Sequence, residues 1–171
     1  MLKKSVEKAL NYQVNAELYS AYMYFSMEAY FQSKNLSGFA NWMRCQTQEE
    51  MFHAMKIYDF VHERGGKITL TGIDNPPTDW KSPLDVLQET YKHEQKVTDL
   101  INKLVDLSIK ESDHATNTFL QWFVTEQVEE EAAADDIIQQ LKLIGKDGSG
   151  LFMIDRELGQ RVFTMPTTEA E

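Results

Sequence analysis

Cysteine is almost missing from this chain: Cys45 is the single one among 171 residues. An intramolecular disulfide is excluded, as is any zinc or iron–sulfur centre built on several thiolates. Proline is scarce too, with four in all, and Pro76, Pro77 and Pro83 fall close together, so the long periodic stretches around them hold no helix breaker. No run approaches the roughly 20 apolar residues needed to cross a bilayer. The start, Met1-Leu2-Lys3-Lys4, is basic, but no apolar stretch of the secretory kind follows it. The cytoplasm is the expected compartment, with no membrane association. Basic residues are also in short supply: 17 Lys and Arg stand against 27 Asp and Glu, for a net charge of −10. That balance disfavours nucleic acid and suits cationic ligands.

What the chain does have is helical periodicity. Its length suits a single domain over 1–171 with a substantial core. Apolar residues recur in alternating steps of three and four over four long segments, predicting helices over 5–32, 37–64, 83–111 and 114–144. After a flexible link at 145–150, a short fifth helix is expected over 151–161, and the tail beyond Thr164 reads as loose. Between residues 65 and 82 the period collapses around Gly72, Pro76, Pro77 and Trp80. So long a loop in a compact domain needs a purpose. In a four-helix bundle it serves as a crossover along the bundle, which lets the third helix run parallel to the second. The expected fold class is therefore all-α: a four-helix bundle with one long crossover and a short C-terminal helix.

Each apolar seam is interrupted near its middle. The first carries Glu17 between Val14 and Ala21, and the third carries Glu94 between Tyr91 and Val97. The second has Glu50 and His53, and the fourth has Gln127 and Glu130. Residues three apart share one helix face. An unpaired carboxylate in a bundle core costs several kcal/mol even after relaxation. Four of them at matching depth make sense when cations lie between them. Two divalent ions balance the four negative charges of Glu17, Glu50, Glu94 and Glu130. Carboxylates with one imidazole suit iron or manganese. This is the plan of carboxylate-bridged metal pairs, with Gln127-x-x-Glu130 replacing the second Glu-x-x-His.

Other residues admit two readings. Tyr24, on the seam of Glu17, fits a redox or hydrogen-bonding role at the metals, or a core tyrosine with a satisfied hydroxyl. Trp122 shares that ambiguity. Glu49, Glu126 and Glu129 flank the seam and fit either a third cation site or a solvated acidic face. Asp113, His114 and Asn117 fit an ion entry or a solvated turn. His62, His93 and His114 are expected on the surface.

These motifs resemble the non-haem ferritins of bacteria and archaea over essentially the whole chain. The likeness rests on Asn15-Ala16-Glu17 with Tyr19-Ser20-Ala21-Tyr22, on Glu49-Glu50-Met51-Phe52-His53-Ala54, and on Phe60-Val61 through Arg64-Gly65-Gly66. It continues through Pro76-Pro77 to Phe119-Leu120-Gln121-Trp122 and Glu126-Gln127-Val128-Glu129-Glu130-Glu131. The resemblance implies a ferroxidase centre with two irons per subunit. One would lie on Glu17, Glu50 and His53. The other would lie on Glu50, Glu94 and Glu130, with Gln127 close by and Glu50 bridging. It implies a third iron site on Glu49, Glu126, Glu129 and Glu130. It also implies oxidation of Fe(II) by O₂ or peroxide, and a homo-oligomeric shell of 24 subunits storing hydrated ferric oxide, with the fifth helix near its four-fold axis. Ala133, where bacterioferritins have a second histidine, argues against their centre and against haem, although Met51 and Met55 lie on the second helix. A passive metal-buffering bundle and a di-iron oxygenase acting on an organic substrate are the alternatives.

Overall fold

The computed structural model describes residues 2–165, so most of the segment read as a loose tail lies outside the described residues. The helices are α1 (Lys4–Ser33), α2 (Ser37–Glu63), α3 (Pro83–Lys110), α4 (His114–Ile144) and α5 (Gly148–Leu158), with no strand among the described residues. The ends follow local chemistry. Pro83 opens α3 behind Ser82, whose Oγ accepts the Asp85 amide at 3.1 Å. Gly145 closes α4 at φ +60°, a conformation that costs glycine nothing. The α5 helix starts at Gly148, ahead of the expected 151, because the Asp147 carboxylate accepts the amides of Ser149 and Gly150 at 3.2 and 3.0 Å. It ends at Leu158, so the expected link is shorter and the helix lies nearer the N-terminus than its period suggests.

The loop between α2 and α3 lies along α1. Glu7, Asn11 and Asn15 are four residues apart and form one face of that helix. They hold the loop in sequence: Glu7 Oε2 accepts the Lys67 amide at 3.3 Å, Asn11 Oδ1 that of Thr69 at 2.6 Å, and Asn15 donates to the Gly72 carbonyl at 3.5 Å. Further along, Ser26 donates to the Pro77 carbonyl at 2.6 Å, and Trp80 packs edge-on against Tyr30 at 5.4 Å. The loop thus travels from the first turns of α1 almost to its end. It starts α3 beside the C-terminal part of α1, while Glu111, past the end of α3, pairs with Lys3 and Ser5. Hence α3 is antiparallel to α1. The short α1–α2 turn makes α2 antiparallel to α1 as well, so α2 and α3 are parallel. This is the topology expected from the single long loop.

The α5 helix docks on the start of α2. Asp155 is buried and its Oδ1 accepts the amides of Gly38 and Phe39 at 2.8 and 3.0 Å, satisfying donors that a helix N-terminus leaves free. A β-carbon on Gly38 would lie 1.5 Å from the Asp155 carbonyl oxygen. Gly38→Ala is therefore expected to lift α5 away and cost about 3 kcal/mol or more, read as a fall in the thermal midpoint.

The bundle core is divided in two. Tyr24, Met27, Phe31, Phe39, Met43, Leu87 and Ile137 belong to one apolar cluster. Leu10, Val14, Ile57, Ile101, Leu120 and Phe123 belong to the other. Glu17, Gln46, Glu50, His53, Glu94, Gln127 and Glu130, all buried, fall between these clusters in sequence on all four long helices.

Candidate metal centre

Each long helix delivers its polar group to the interior because the heptad-like step of the seam continues through it. Glu17 and Glu50 are each 1% exposed, His53 2%, Glu94 0%, Gln127 3% and Glu130 7%. One ligand atom each from Glu17, Glu50 and His53 lie within 4.8 Å of one another, and so do atoms of His53, Glu126 and Glu130. His53 Nδ1 is 3.8 Å from Glu50 Oε2. Seen from Glu50, the carboxylates of Glu94, Glu17 and Glu130 are all close enough to disfavour its charge.

Side-chain donors hold the carboxylates. Gln13 donates to Glu17 Oε1 at 2.9 Å, and Gln127 donates to Glu94 Oε2 at 3.1 Å. Gln46 donates to Glu130 Oε2 at 2.7 Å. The Tyr24 hydroxyl donates to Glu94 Oε1, which makes Tyr24 a buried partner of a site carboxylate. Two fully buried carboxylate oxygens of the site, Glu17 Oε2 and Glu50 Oε2, have no hydrogen-bond partner. Such orphaned acceptors are costly. Both belong to the same three-residue group, and a divalent cation there would satisfy both. The oxygen-rich donor set with one imidazole fits iron or manganese.

Electrostatics describes the same strain. Burial first, then the neighbouring carboxylates, pushes Glu50 well above the ordinary range. Burial and the Glu130 charge raise Glu94 to about 8 against the opposing hydrogen bonds of Tyr24 and Gln127. Burial lowers the His53 pKa, favouring the neutral imidazole that metals bind. Burial likewise drives Tyr24 well above 10, with the charges of Glu94 and Glu50 adding to it.

The flanking acids divide. Glu49 is partly buried and raised to about 7, chiefly by desolvation, while Arg161 pulls the other way. Its Oε2 accepts from Arg161 Nη2 at 2.7 Å. Glu126 is half-buried and joins His53 and Glu130. Glu129 is exposed and outside both compact groups. Trp122 packs edge-on against His53 at 5.4 Å, with the Lys56 ammonium 4.6 Å above its ring.

Two surface expectations change. His93 is half-buried: Nε2 is 2.8 Å from Ser20 Oγ, its ring meets Tyr24 at 6.0 Å, and desolvation brings its pKa down to about 4. A lone histidine off the apolar seam carries no period that would reveal this. Asp113 is buried and caps α4 through the Thr116 amide at 3.1 Å, with Arg64 Nη2 also at 3.1 Å. This carboxylate is committed to structure, while His62 and His114 are exposed as expected. Sequence reasoning also misses Gln13, Gln46 and Arg161. Gln46 is on the seam, but nothing local marks which carboxylate it meets.

Comparison with known proteins agrees with this architecture. A family described as Ferritin-like domain matches residues 7–144. A bacterial non-heme ferritin of Bacteroides fragilis is 44% identical over 161 residues, covering 94% of this chain and all of the relative. A probable bacterial non-heme ferritin-like protein of Haemophilus influenzae is 38% identical, covering 93% of this chain and 96% of the relative. Among solved structures, an open pore ferritin from the hyperthermophilic archaeon Archaeoglobus fulgidus superimposes with a TM-score of 0.93 at 52% identity, over 94% of this chain and 98% of that one. An engineered closed form of the same ferritin gives 0.95 at 52% identity, over 96% of this chain and all of that one.

Proposed function

Because this chain belongs to the ferritin family, we propose that it is an iron-storage ferritin with ferroxidase activity, oxidising Fe(II) with O₂ or peroxide at a two-iron centre inside each subunit. The observation that carries this reading is the pair of orphaned, buried oxygens on Glu17 and Glu50, set beside buried His53. Fe(II) is the substrate. Glu17, Glu50 and His53 bind one ion, and Glu50, Glu94 and Glu130 bind the second, with Glu50 between them and Gln127 holding Glu94. The two ferrous ions give up one electron each, and the pair of electrons reduces O₂ to hydrogen peroxide or peroxide to water. Water supplies the oxide and hydroxide of FeO(OH), with release of protons as Fe(III) hydrolyses.

The protein's contribution is flexible charge. A carboxylate can bind through one oxygen or both, so Glu50 and Glu130 can follow the change from Fe(II) to Fe(III) without moving a helix. Tyr24 and Gln127, by donating to Glu94, keep that carboxylate aimed inward before iron arrives. Tyr24 remains adjacent to the reacting ions, where its phenol is available as a donor. Glu49, Glu126 and Glu129 with Glu130 form the third iron position, from which ferric product leaves. We place the protein in the cytoplasm as a homo-oligomer, in a shell of 24 copies around the mineral.

Oxygen uptake during Fe(II) addition to metal-stripped protein tests the enzyme against a passive buffer: rapid uptake proportional to added iron is expected, and its absence overturns the ferroxidase. Size exclusion tests the shell, since a monomer or dimer would favour the oxygenase reading. A ferrous soak followed by anomalous scattering locates each ion.

A further inference from the structure

Arg161 connects the C-terminal segment to the metal-facing carboxylates through two contacts. It follows α5 and is fixed at its backbone, where the carbonyl accepts from Asn41 Nδ2 at 2.9 Å. Its guanidinium lies 4.9 Å over the Trp42 ring, a placement that favours the planar cation. From there Nη2 donates to Glu49 Oε2 at 2.7 Å, and Nη1 donates to Gln46 Oε1. Arginine has only donors, so the Gln46 oxygen must face it and the Gln46 amide nitrogen must face away. That nitrogen donates to Glu130 Oε2 at 2.7 Å. One guanidinium therefore neutralises Glu49 and, through a forced amide orientation, engages an oxygen of Glu130.

Glu49 and Glu130 are two of the four carboxylates assigned above to the third iron position. We propose that Arg161 is a positioning residue that acts as the resident counter-cation of that position. It holds Glu49 while no iron is there and releases it when a cation arrives. The third cation therefore binds more weakly than the first two, and its arrival frees the segment after α5. Weak holding suits a transit position, because an ion bound too tightly would not pass on. This inference rests on the proposed iron centre, which Arg161 reaches at Glu130 through Gln46. Glu17, Glu50, His53 and Glu94 make no hydrogen bond or ion pair with Arg161, so the first iron position is independent of it and the two can fail separately.

The test uses the assembled, metal-stripped protein titrated calorimetrically with Zn(II), a redox-silent probe. Two tight equivalents per subunit and a weaker third are expected. Arg161→Gln should tighten the third about tenfold or more and leave the first, on Glu17, Glu50 and His53, unchanged. Arg161→Lys, which keeps a cation beside Glu49, should stay within about threefold of the parent. A third equivalent unchanged or weakened in Arg161→Gln overturns the inference. Loss of the two tight equivalents in the parent overturns the iron centre instead. A second readout needs no variant: amide hydrogen exchange over residues 159–163 should accelerate with the third equivalent and not with the second. Exchange unaltered by the third equivalent also overturns the inference.

Discussion

Replacing Glu50 with alanine is expected to slow rapid Fe(II) oxidation by on the order of 100-fold or more, beyond what losing a supporting hydrogen bond at a metal site typically costs. Glu50 is the carboxylate that shares a compact group with Glu17 and His53 while also feeling the charges of Glu94 and Glu130. Without it, the two ions of the proposed centre would lose their common ligand and the spacing that lets one oxidant meet both. Stopped-flow oxidation of two Fe(II) per subunit checks this, and parental rates in the variant would remove Glu50 from the centre. A companion measurement separates chemistry from folding. The isosteric Glu50→Gln should keep the metal-free protein folded at pH 8 and at least as stable as its parent. It removes a buried acid whose charged form burial and three neighbouring carboxylates penalise.

The second large effect is on stability, and its sign follows from protons. Glu94 holds its proton to about pH 8 in the folded protein, whereas an unfolded glutamate loses it near 4.5. Between those values the native state binds more protons than the unfolded state, so raising the pH destabilises it. Glu50, also raised, acts in the same direction. The stability is fully present below about pH 4.5 and is lost as the pH rises through about 8. Each tenfold difference in proton affinity between the folded and unfolded states is worth about 1.4 kcal/mol, so metal-free protein should lose several kcal/mol across this window. A divalent cation takes the protons' place, so Zn(II)-loaded protein should melt higher, with the gap widening toward pH 8. Thermal melts with and without Zn(II) at several pH values measure it. A metal-free midpoint that stays flat or rises from pH 5 to 8 contradicts the buried, mutually repelling carboxylates.

How much is legible along the chain varies with the residue. Glu17, Glu50, His53, Glu94, Gln127 and Glu130 can all be named because each continues the step of an apolar seam, and all six are buried. The crossover is legible from its length and prolines, but the rail that holds it is not. Glu7, Asn11 and Asn15 are four apart on a polar face, and such a face ordinarily meets only water. His93 reads as a surface group because burial there comes from Tyr19, Ser20 and Tyr24 on another helix. At the start of α5, three glycines in 145–150 suggest a link, while the cap on Asp147 outweighs their low helix propensity.

The division follows from the range over which each force acts. An α-helix repeats every 3.6 residues, so which side chains share a face is set by neighbours along the chain, and the sequence alone determined the four seams and the acids within them. Which acid touches which donor depends on how deeply each rod is inserted and how the rods are rotated. Those quantities are decided by packing across the bundle, by the loop bound along α1 and by α5 seated against Gly38. The pairings of Tyr24 with Glu94, Gln46 with Glu130 and Arg161 with Glu49 join residues 70, 84 and 112 positions apart. No local period spans such distances, and only the assembled bundle brings these groups within hydrogen-bonding reach.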